Sequence, residues 1–271
     1  MRHACAAAFA AIAVFTGWSG LAQEKPEALV CQTSPTMLVH DGFEGNELSR
    51  AWAHDHFAEV AVVLESKVVR AGKQAVAITV HPNDVFEAGQ NGDKDSERDE
   101  LREATPLTSR ENVPYEFRFS MFFPTDFPIV PVRLVIAQWK QYCPEGVKAC
   151  DDQSPVLALR YIGGELLVTQ DLERKHVILF RQKSEFRGHW LDFRIRARFT
   201  PHSDGREQAW LDGKQIVNYT GVTADQEGPE RGYPSPGYFF FKMGLYRNVM
   251  PQPMTVYIDE YSKREMQADE F

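Results

Sequence analysis

The sequence predicts an all-β fold in which two sheets pack face to face. Short runs of alternating or β-rich residues recur between turn signals, whereas long amphipathic helical patterns are scarce. The runs show no internal repeat, which favours one two-sheet domain over several small ones. The 43% hydrophobic content is ample for one large core.

The N-terminal segment has the features of a secretory signal peptide. A basic start at Arg2 precedes a small and apolar run at 4–15, and the small residues at 20–22 fit the site that a signal peptidase reads. We expect residues 1–22 to be removed and residues 23–271 to form a single secreted or periplasmic domain. The apolar run is too short to anchor the mature protein in a membrane.

Turn residues mark the boundaries of the predicted strands. The pairs Asp204-Gly205 and Asp212-Gly213 fit tight turns, so we predict a hairpin over 206–221. Two long loops, Pro82–Ser96 and Thr220–Pro236, are expected at the rim of a binding cleft. We expect ten or more strands, and examples are Glu59–Val69, Gln74–Val80, Tyr115–Phe123, Val132–Trp139, Val156–Tyr161, Glu165–Thr169, Trp190–Phe199, Glu207–Leu211, Gly237–Tyr246 and Met254–Tyr261.

Cysteine usage agrees with export to an oxidising compartment. Once the signal segment is removed, Cys31, Cys143 and Cys150 remain. Cys143 and Cys150 bracket a short loop and are the expected disulfide pair. The alternative is that Cys31 pairs with one of them.

The first of three notable motifs is the charged run Arg98–Glu103. A strand period of two places Arg98, Glu100 and Arg102 on one face and Leu101 on the other. One face is therefore cationic, with an internal carboxylate partner. Taken alone, the run also fits a solvated edge strand with surface ion pairs.

The second motif, at 135–140, is an aliphatic strand that ends in polar residues. Gln138 and Lys140 share one face, and Trp139 lies on the other. Polar groups thus emerge where the strand should be buried. The alternative is an ordinary exposed face with Trp139 in the core.

The third motif is the aromatic run at 238–248. Its alternation sets Phe240, Lys242, Gly244 and Tyr246 on one side. Gly244 leaves room for a ligand to approach the backbone. Taken alone, the run also fits an aromatic core strand.

In order and residue type, the three motifs resemble the signature strands of jelly-roll alginate lyases: Arg-x-Glu-Leu-Arg, Gln-x-His and Tyr-Phe-Lys-x-Gly-x-Tyr. The likeness extends from Arg98 to Asn248, and the opening Asp-Gly-Phe-Glu-Gly at 41–45 looks closer to heparin lyase I and glucuronan lyase. The resemblance implies a two-sheet β-jelly-roll sandwich of the concanavalin-like type. One position departs from the family pattern, because Lys140 stands where the family has a catalytic His.

The resemblance also implies a polysaccharide lyase that cleaves a uronic-acid-containing polymer by β-elimination. This reaction requires a neutralised sugar carboxylate, a base for the adjacent proton and an acid for the departing oxygen. Arg98 or Arg102 is expected to clamp the carboxylate, and Gln138 to donate amide N–H groups to it. The other substrate-binding candidates on these faces are Glu100 and Lys242.

Proton transfer has three candidates. Tyr246 is the expected acid and, as a phenolate supported by nearby cations such as Lys242, Lys140 or Arg98, also a base. Lys140 would be the base itself if desolvation favours its neutral form. His81 is the third candidate, because it ends a strand beside a long loop; the alternative is an ordinary surface histidine.

No motif demands a cofactor. Asn91, Asp93 and Asp95 are a candidate site for a structural Ca²⁺, with a solvated acidic loop as the alternative. The expected partner is an anionic polysaccharide, met by a local basic cleft. The balance of 38 Asp and Glu against 30 Lys and Arg argues against nucleic acid. We expect no membrane partner and a monomer.

Two other functions fit parts of the pattern. A non-catalytic, lectin-like module is the main alternative, because a jelly roll does not itself imply catalysis. A laminarinase-type hydrolase would need a strand reading Glu-x-Asp-x-x-Glu, and here Glu97 and Asp99 are followed by Arg102. Such an enzyme also needs two carboxylates about 5 to 5.5 Å apart across the scissile bond.

Overall fold

Strands dominate the computed structural model, which describes residues 36–84, 95–150 and 154–271. They form two antiparallel sheets. The first contains β1 (Thr36–Asp41), β3 (Val62–Glu65), β4 (Ala75–Val80), β7 (Pro114–Phe122), β12 (Trp190–Arg198), β13 (Gly205–Leu211), β14 (Lys214–Gly221) and β16 (Met254–Glu265). The second contains β2 (Trp52–Ala53), β5 (Ser96–Glu103), β6 (Ser109–Arg110), β8 (Leu134–Gln141), β9 (Leu157–Ile162), β10 (Glu165–Leu172), β11 (Lys175–Lys183) and β15 (Tyr238–Asn248).

Strand order places the three sequence motifs next to one another. The first sheet runs β14-β13-β12-β7-β16-β4-β3, with β1 paired to β16. The second runs β11-β10-β9-β8-β15-β5-β2, with β6 paired to β15. The motif strands β8, β15 and β5 are therefore direct neighbours. The described helical elements are single 3₁₀ turns at Glu59–Ala61, Thr105–Leu107 and Ala268–Glu270.

The core lies between the two sheets, where alternate residues of each strand pack together. Trp139 and Leu101 are fully buried there, as predicted. Trp139 lies 4.8 Å from Phe241 and 5.3 Å from Phe117 between ring centroids, so aromatic rings from both sheets interlock. Side chains one residue earlier or later on the same strands consequently lie on the outer faces.

The predicted two-sheet fold is confirmed, and so is the hairpin at 206–221. Asp212 and Gly213 both have positive φ, as a tight hairpin turn requires. The predicted strand Glu59–Val69 is too long, because its first residues form a 3₁₀ turn and only Val62–Glu65 pair as a strand. The strand Lys175–Lys183 was not predicted, because both of its faces are largely exposed and its sequence does not alternate between buried and exposed residues.

The disulfide between Cys143 and Cys150 is present, with a Cα–Cα distance of 5.6 Å. It closes a small loop directly after β8. Gly232, in the segment that leads into β15, packs against this loop so closely that a Cβ there would lie 3.0 Å from the Cys150 sulfur. The loop thus contacts the chain on its way to β15. Much of the other predicted rim loop, Pro82–Ser96, lies outside the described residues.

Across the described ranges, the chain contains no helix with the length and apolar character needed to cross a membrane.

Candidate active site

Strand pairing aligns the three motifs on the outer face of the second sheet. On one side of β15, Lys242 faces Arg102 and Tyr246 faces Arg98 across the ladder with β5. On the other side, Lys242 faces Gln138 in β8. Directly paired residues place their side chains on the same face. The structure therefore brings the predicted residues of all three motifs together.

Tyr246 lies between two guanidinium groups. The Arg98 carbon Cζ lies 4.0 Å from the ring centroid, and the Arg133 carbon Cζ lies 4.3 Å from it. Arg133 also donates a hydrogen bond from Nη1 to the Tyr246 hydroxyl at 3.1 Å. Its Nε donates to Asn248 at 2.9 Å, which fixes the guanidinium plane. The phenol is thus held in one orientation beside two positive charges.

Glu100 links two of the predicted substrate-binding residues. Its carboxylate is fully buried and accepts a hydrogen bond of 2.5 Å from the Gln138 amide. The Arg98 Nε lies 3.3 Å from the other carboxylate oxygen. Because the acid itself is buried, we assign it to orienting Gln138 and Arg98 rather than to contacting a ligand. The Gln138 amide has a second N–H, which it needs for any contact with a sugar carboxylate.

Arg102 forms an ion pair that the sequence did not suggest. Its guanidinium binds both carboxylate oxygens of Asp55, and the His56 ring lies 2.8 Å from the same carboxylate. Although burial acts to raise it, hydrogen bonds from Arg102 and His56 lower the pKa of Asp55. A histidine and an aspartate from the segment before β3 therefore join the edge of the motif cluster.

The two lysines of the motifs occupy different environments. Lys242 is almost fully buried, with its Nζ 5.4 Å from the centroid of the Phe240 ring. Lys140 is only partly exposed and faces Phe240 directly across the ladder between β8 and β15. Both ammonium groups thus lie on the same outer face as Tyr246. Counted over the described residues, the cluster contains more cations than carboxylates.

His81 lies next to the first sheet, whereas the three motif strands belong to the second sheet. It follows β4 in the first sheet, and its ring Nδ1 lies 3.2 Å from the Asp84 carboxylate. Its backbone N–H donates to the same carboxylate at 2.6 Å. Asp84 in turn accepts a hydrogen bond from the Arg98 backbone N–H at its carbonyl oxygen. His81 is therefore linked to Arg98 through Asp84, which contacts both residues.

A pocket of about 440 Å³ extends the same face over β9, β10 and β11. Arg160, which is nearly buried, donates to Thr169 at 2.9 Å and lies 3.3 Å from Asp171. Burial lowers the pKa of Arg160, and Asp171 opposes this shift, while Arg133 and Tyr246 are near enough to act on it. Arg160 faces Val135 across one ladder and Val135 faces Tyr246 across the next, so the pocket adjoins the Tyr246 site. It is lined by Ser154, Arg160, Ile162, Glu165, Leu167, Thr169, Asp171, His176, Ile178 and Arg181.

Gly244 has a structural explanation that differs from the one expected. Its φ is +139°, a conformation that favours glycine. A Cβ there would lie 2.5 Å from the Asp99 carbonyl oxygen and 2.9 Å from the Glu100 Cα. The close neighbour of Gly244 is thus the backbone of β5. The glycine permits the irregular pairing between Met243 and Tyr246 that aims the tyrosine.

The inward face of β5 carries acids that serve the fold. Glu97 forms a fully buried ion pair with Arg247 at 2.7 Å. Burial raises the pKa of Asp99 to about 8, with Asp84 adding to the rise and a hydrogen bond from the Ala58 N–H opposing it. Because Glu97 and Asp99 point away from the outer face, they form no carboxylate pair across a cleft. Glu97 and Asp99 therefore do not supply the pair of facing carboxylates that a laminarinase-type hydrolase would need.

A third buried acid, Glu103, has partners from the first sheet. Lys263 donates to it at 2.9 Å, and Tyr261 donates a hydrogen bond to its other oxygen. Burial raises the pKa of Glu103, and Lys263 opposes this rise. Burial lowers the pKa of Lys263, and Glu103 opposes that shift. This group ties the two sheets together behind Arg102.

The predicted Ca²⁺ site lies largely outside the described residues. Asn91 and Asp93 fall in the undescribed stretch, whereas Asp95 accepts a hydrogen bond from the Val249 N–H at its backbone carbonyl. Among the residues that the structure does describe, no group of three or more His, Cys, Asp or Glu side chains is placed to hold a metal.

Sequence reasoning missed four residues that the fold adds to the site. Arg133 contacts Tyr246, the pair Asp55 and His56 holds Arg102, and Arg160 begins the adjoining pocket. None of them belongs to a motif. Of the four, only Arg133 lies close to a motif in sequence, five residues before Gln138 and directly before the first residue of β8.

Two packed sheets with arginine, glutamine, lysine and tyrosine aligned on one outer face define an enzyme of the jelly-roll lyase class. The sequence profile described as polysaccharide lyase matches residues 15–262. The chain therefore belongs to the polysaccharide lyase family. Among curated protein sequences, none matches the chain significantly.

Solved structures show the same fold. Endo-β-1,4-glucuronan lyase from the fungus Trichoderma reesei superposes with a TM-score of 0.60 at 17% identity, over 77% of this chain and 88% of that one. The family 7 alginate lyase AlgAT5 gives 0.53 at 13% identity, over 78% and 85%. A family 7 alginate lyase, A1-II', solved with a substrate, gives 0.55 at 13% identity, over 79% and 85%. The predicted jelly roll is confirmed.

Proposed function

We propose that this lyase cleaves a uronic-acid-containing polysaccharide by β-elimination at the outer face of β5, β15 and β8. The observation that carries the proposal is the Tyr246 hydroxyl, which is fixed by Arg133 and flanked by Arg98. A proton-transfer group surrounded by cations suits a reaction that develops negative charge on the substrate. The solved glucuronan and alginate lyases of the same fold support a uronate polymer as the substrate.

The cations of the cluster have a role in binding and activating the sugar acid. Arg98 and Gln138, which Glu100 orients, neutralise the carboxylate of the uronate and stabilise the enolate-like charge that follows proton loss. Lys242 and Arg102 add positive charge on the neighbouring positions of the same face. This concentration of positive charge attracts the carboxylates of a uronate polymer, whereas a neutral glycan would gain nothing from it.

Two side chains divide the proton transfers. Tyr246 protonates the departing glycosidic oxygen, and Arg133 stabilises the phenolate that forms. Lys140, which stands on the same face, removes the proton next to the carboxylate or supports Tyr246 in doing so. The pocket over β9–β11 holds sugar rings beyond the point of cleavage.

A substrate panel tests the proposal directly. Purified protein is mixed with glucuronan, alginate, heparin and hyaluronan, and the ultraviolet absorbance of the unsaturated product is followed. We expect absorbance to rise with at least one uronate polymer and to stay flat with neutral dextran. Binding to a uronate polymer without any new absorbance would favour the lectin-like alternative and contradict the proposal.

Replacement of Lys140 tests its role as the base. We expect Lys140→Ala to reduce turnover by about 10²-fold, and to affect binding far less. Lys140→His should recover part of the activity with a lower pH optimum, because an imidazole titrates near pH 6.5 and an ammonium near 10.4, roughly. Initial rates from pH 5 to 10 give both results. The exposed Lys148→Ala is the control, and wild-type turnover in Lys140→Ala would contradict the assignment.

We also propose that the enzyme is exported. The basic and apolar segment at 1–22 supports this, as does the disulfide between Cys143 and Cys150, which persists in oxidising compartments. Sequencing of the mature N-terminus tests the proposal, which a product that retains residues 1–22 would contradict. A monomer remains our expectation.

A further inference from the structure

The outer face of the first sheet, on the other side of the sandwich from the candidate active site, is rich in arginine. Alternate residues of β7, β12, β13 and β16 point away from the core, and many of them are basic. We call this cluster the arginine face. Its members are Arg118, Arg194, Arg196, Arg198, Arg206 and Arg264.

Like charges stand directly opposite each other on the arginine face. Arg118 faces Arg194 across the ladder between β7 and β12. Arg198 faces Arg206 across the ladder between β12 and β13. Like charges in directly opposed positions destabilise a sheet. Two such pairs on neighbouring ladders lower stability, and an anionic ligand would offset that loss.

Within the described part of the chain, the face carries fewer acids than arginines. Glu116 is buried and accepts hydrogen bonds from Arg118 at 2.8 Å, Arg196 at 2.7 Å and Arg264 at 3.1 Å. Although burial acts to raise it, these hydrogen bonds lower the pKa of Glu116 to about 2. One carboxylate thus serves three guanidinium groups. Among the described residues, Asp204 and Glu270 also bind members of the face, and Asp192, which shares the outward side of β12, pairs with Arg70.

An aromatic ring lies within the cluster. The Arg194 Cζ lies 3.9 Å from the centroid of the half-buried Trp210 ring, and the Arg196 Cζ lies 5.4 Å from it. Burial lowers the pKa of Arg194, and the neighbouring Arg196 adds to this effect. The uncharged polar residues Gln208 and Asn218 continue the surface on the side of β14. Guanidinium groups, an indole and amides together suit a ligand with both acidic groups and hydroxyls.

We propose that the arginine face is a second binding site for an anionic polysaccharide, separate from the cleft that cleaves it. The choice of ligand rests on the proposed function, because a uronate polymer is the anion this enzyme would encounter. The positive face stands out against the formal net charge of −8 for the whole chain, so it concentrates the attraction for a polyanion on one surface. Bound there, a long chain stays near the enzyme between cuts.

The test measures binding without cleavage. All proteins carry Tyr246→Phe, and their migration through native gels containing alginate, heparin or neutral dextran is compared with migration through plain gels. We expect the added pair Arg118→Gln and Arg206→Gln to weaken retardation by alginate or heparin by about 3-fold to 10-fold, since each exposed contact contributes little. The control pair Lys67→Gln and Lys73→Gln removes the same charge from the exposed turn between β3 and β4, outside the arginine face, and should leave retardation nearly unchanged.

Thermal unfolding separates a binding role from a structural one. Each Gln substitution breaks up one like-charged pair, which offsets the loss of the Arg118 hydrogen bond to Glu116, so we expect little change in melting temperature. The charge-conserving pair Arg118→Lys and Arg206→Lys should keep most of the retardation, which shows that charge is recognised. Undiminished retardation of the Gln pair, or an equal loss in the Lys67 and Lys73 control, would overturn the inference. The gel assay needs no cleavage, so failure of the substrate panel would contradict the proposed reaction alone.

Discussion

Replacement of Tyr246 by phenylalanine is expected to lower turnover by about 10²-fold to 10⁴-fold while polysaccharide binding stays nearly intact. The substitution removes one oxygen atom and keeps the ring that packs between Arg98 and Arg133. The variant lacks the proposed proton donor for the departing oxygen and the hydroxyl that accepts the Arg133 hydrogen bond. Initial rates by ultraviolet absorbance and calorimetric binding on the same preparation measure both quantities.

Tyr238→Phe is the matched control for this experiment. Tyr238 begins the same strand and is 41% exposed, so loss of its hydroxyl should leave turnover unchanged. If Tyr246→Phe cleaves at the wild-type rate, the tyrosine is not the acid of the reaction. If binding and turnover fall together in that variant, the hydroxyl contributes to holding the substrate instead.

Replacement of Lys263 by methionine is expected to destabilise the protein by about 3 to 5 kcal/mol at neutral pH. Methionine fills much of the same volume, but it leaves the buried Glu103 without its cationic partner. Chemical unfolding at pH 5 and pH 8 measures the loss. The loss should be smaller at the lower pH.

The direction of this pH dependence follows from proton uptake. Burial already raises the pKa of Glu103, and loss of Lys263 would raise it further. Between the unfolded pKa, about 4.3, and the raised folded value, the native state binds the proton that the unfolded chain has lost, so stability falls as pH rises. The double variant Glu103→Gln with Lys263→Met removes the buried charge and should recover part of the stability. An equal loss at both pH values would contradict this account.

The sequence predicted those strands in which buried and exposed side chains alternate. Trp139 and Leu101 lie in the core as the alternation required, and Asp212-Gly213 turns the expected hairpin. Strands without a buried side leave no such pattern, which explains why Lys175–Lys183 was missed. Thr36–Asp41 was missed for a similar reason, since most of its residues are exposed.

The site, like the fold, was predicted where its residues follow a strand pattern and missed where they do not. Lys242, Gln138 and Arg102 were grouped from their motifs, and the strand ladders place them side by side. Asp55 and His56 could not be found this way, because they reach Arg102 from an irregular segment. Contacts made across long sequence separations leave no local signal. These contacts are visible only once the fold has brought the two segments together.

Gly244 was correctly identified as a position of close approach, but the group that approaches it was wrongly expected to be a ligand. The sequence shows a glycine between Lys242 and Tyr246, and a nearby ligand was the natural explanation. The structure shows that the backbone of β5 fills the space that a Cβ would need. A glycine in a strand reports close approach of some group, and only the fold shows which group it is.

The small ring closed by Cys143 and Cys150 makes the enzyme sensitive to the redox state of its surroundings. Closure of a loop of this size restricts the unfolded chain and contributes about 2.5 kcal/mol by the chain-entropy relation. The ring begins just after β8 ends and touches the segment that enters β15 through Gly232, so reduction of the disulfide to two thiols would loosen the ends of the two strands that carry Lys140 and Lys242. Protein produced in a reducing cytosol would then assemble its sheets but hold the strands of the candidate active site less firmly than protein matured under oxidising conditions.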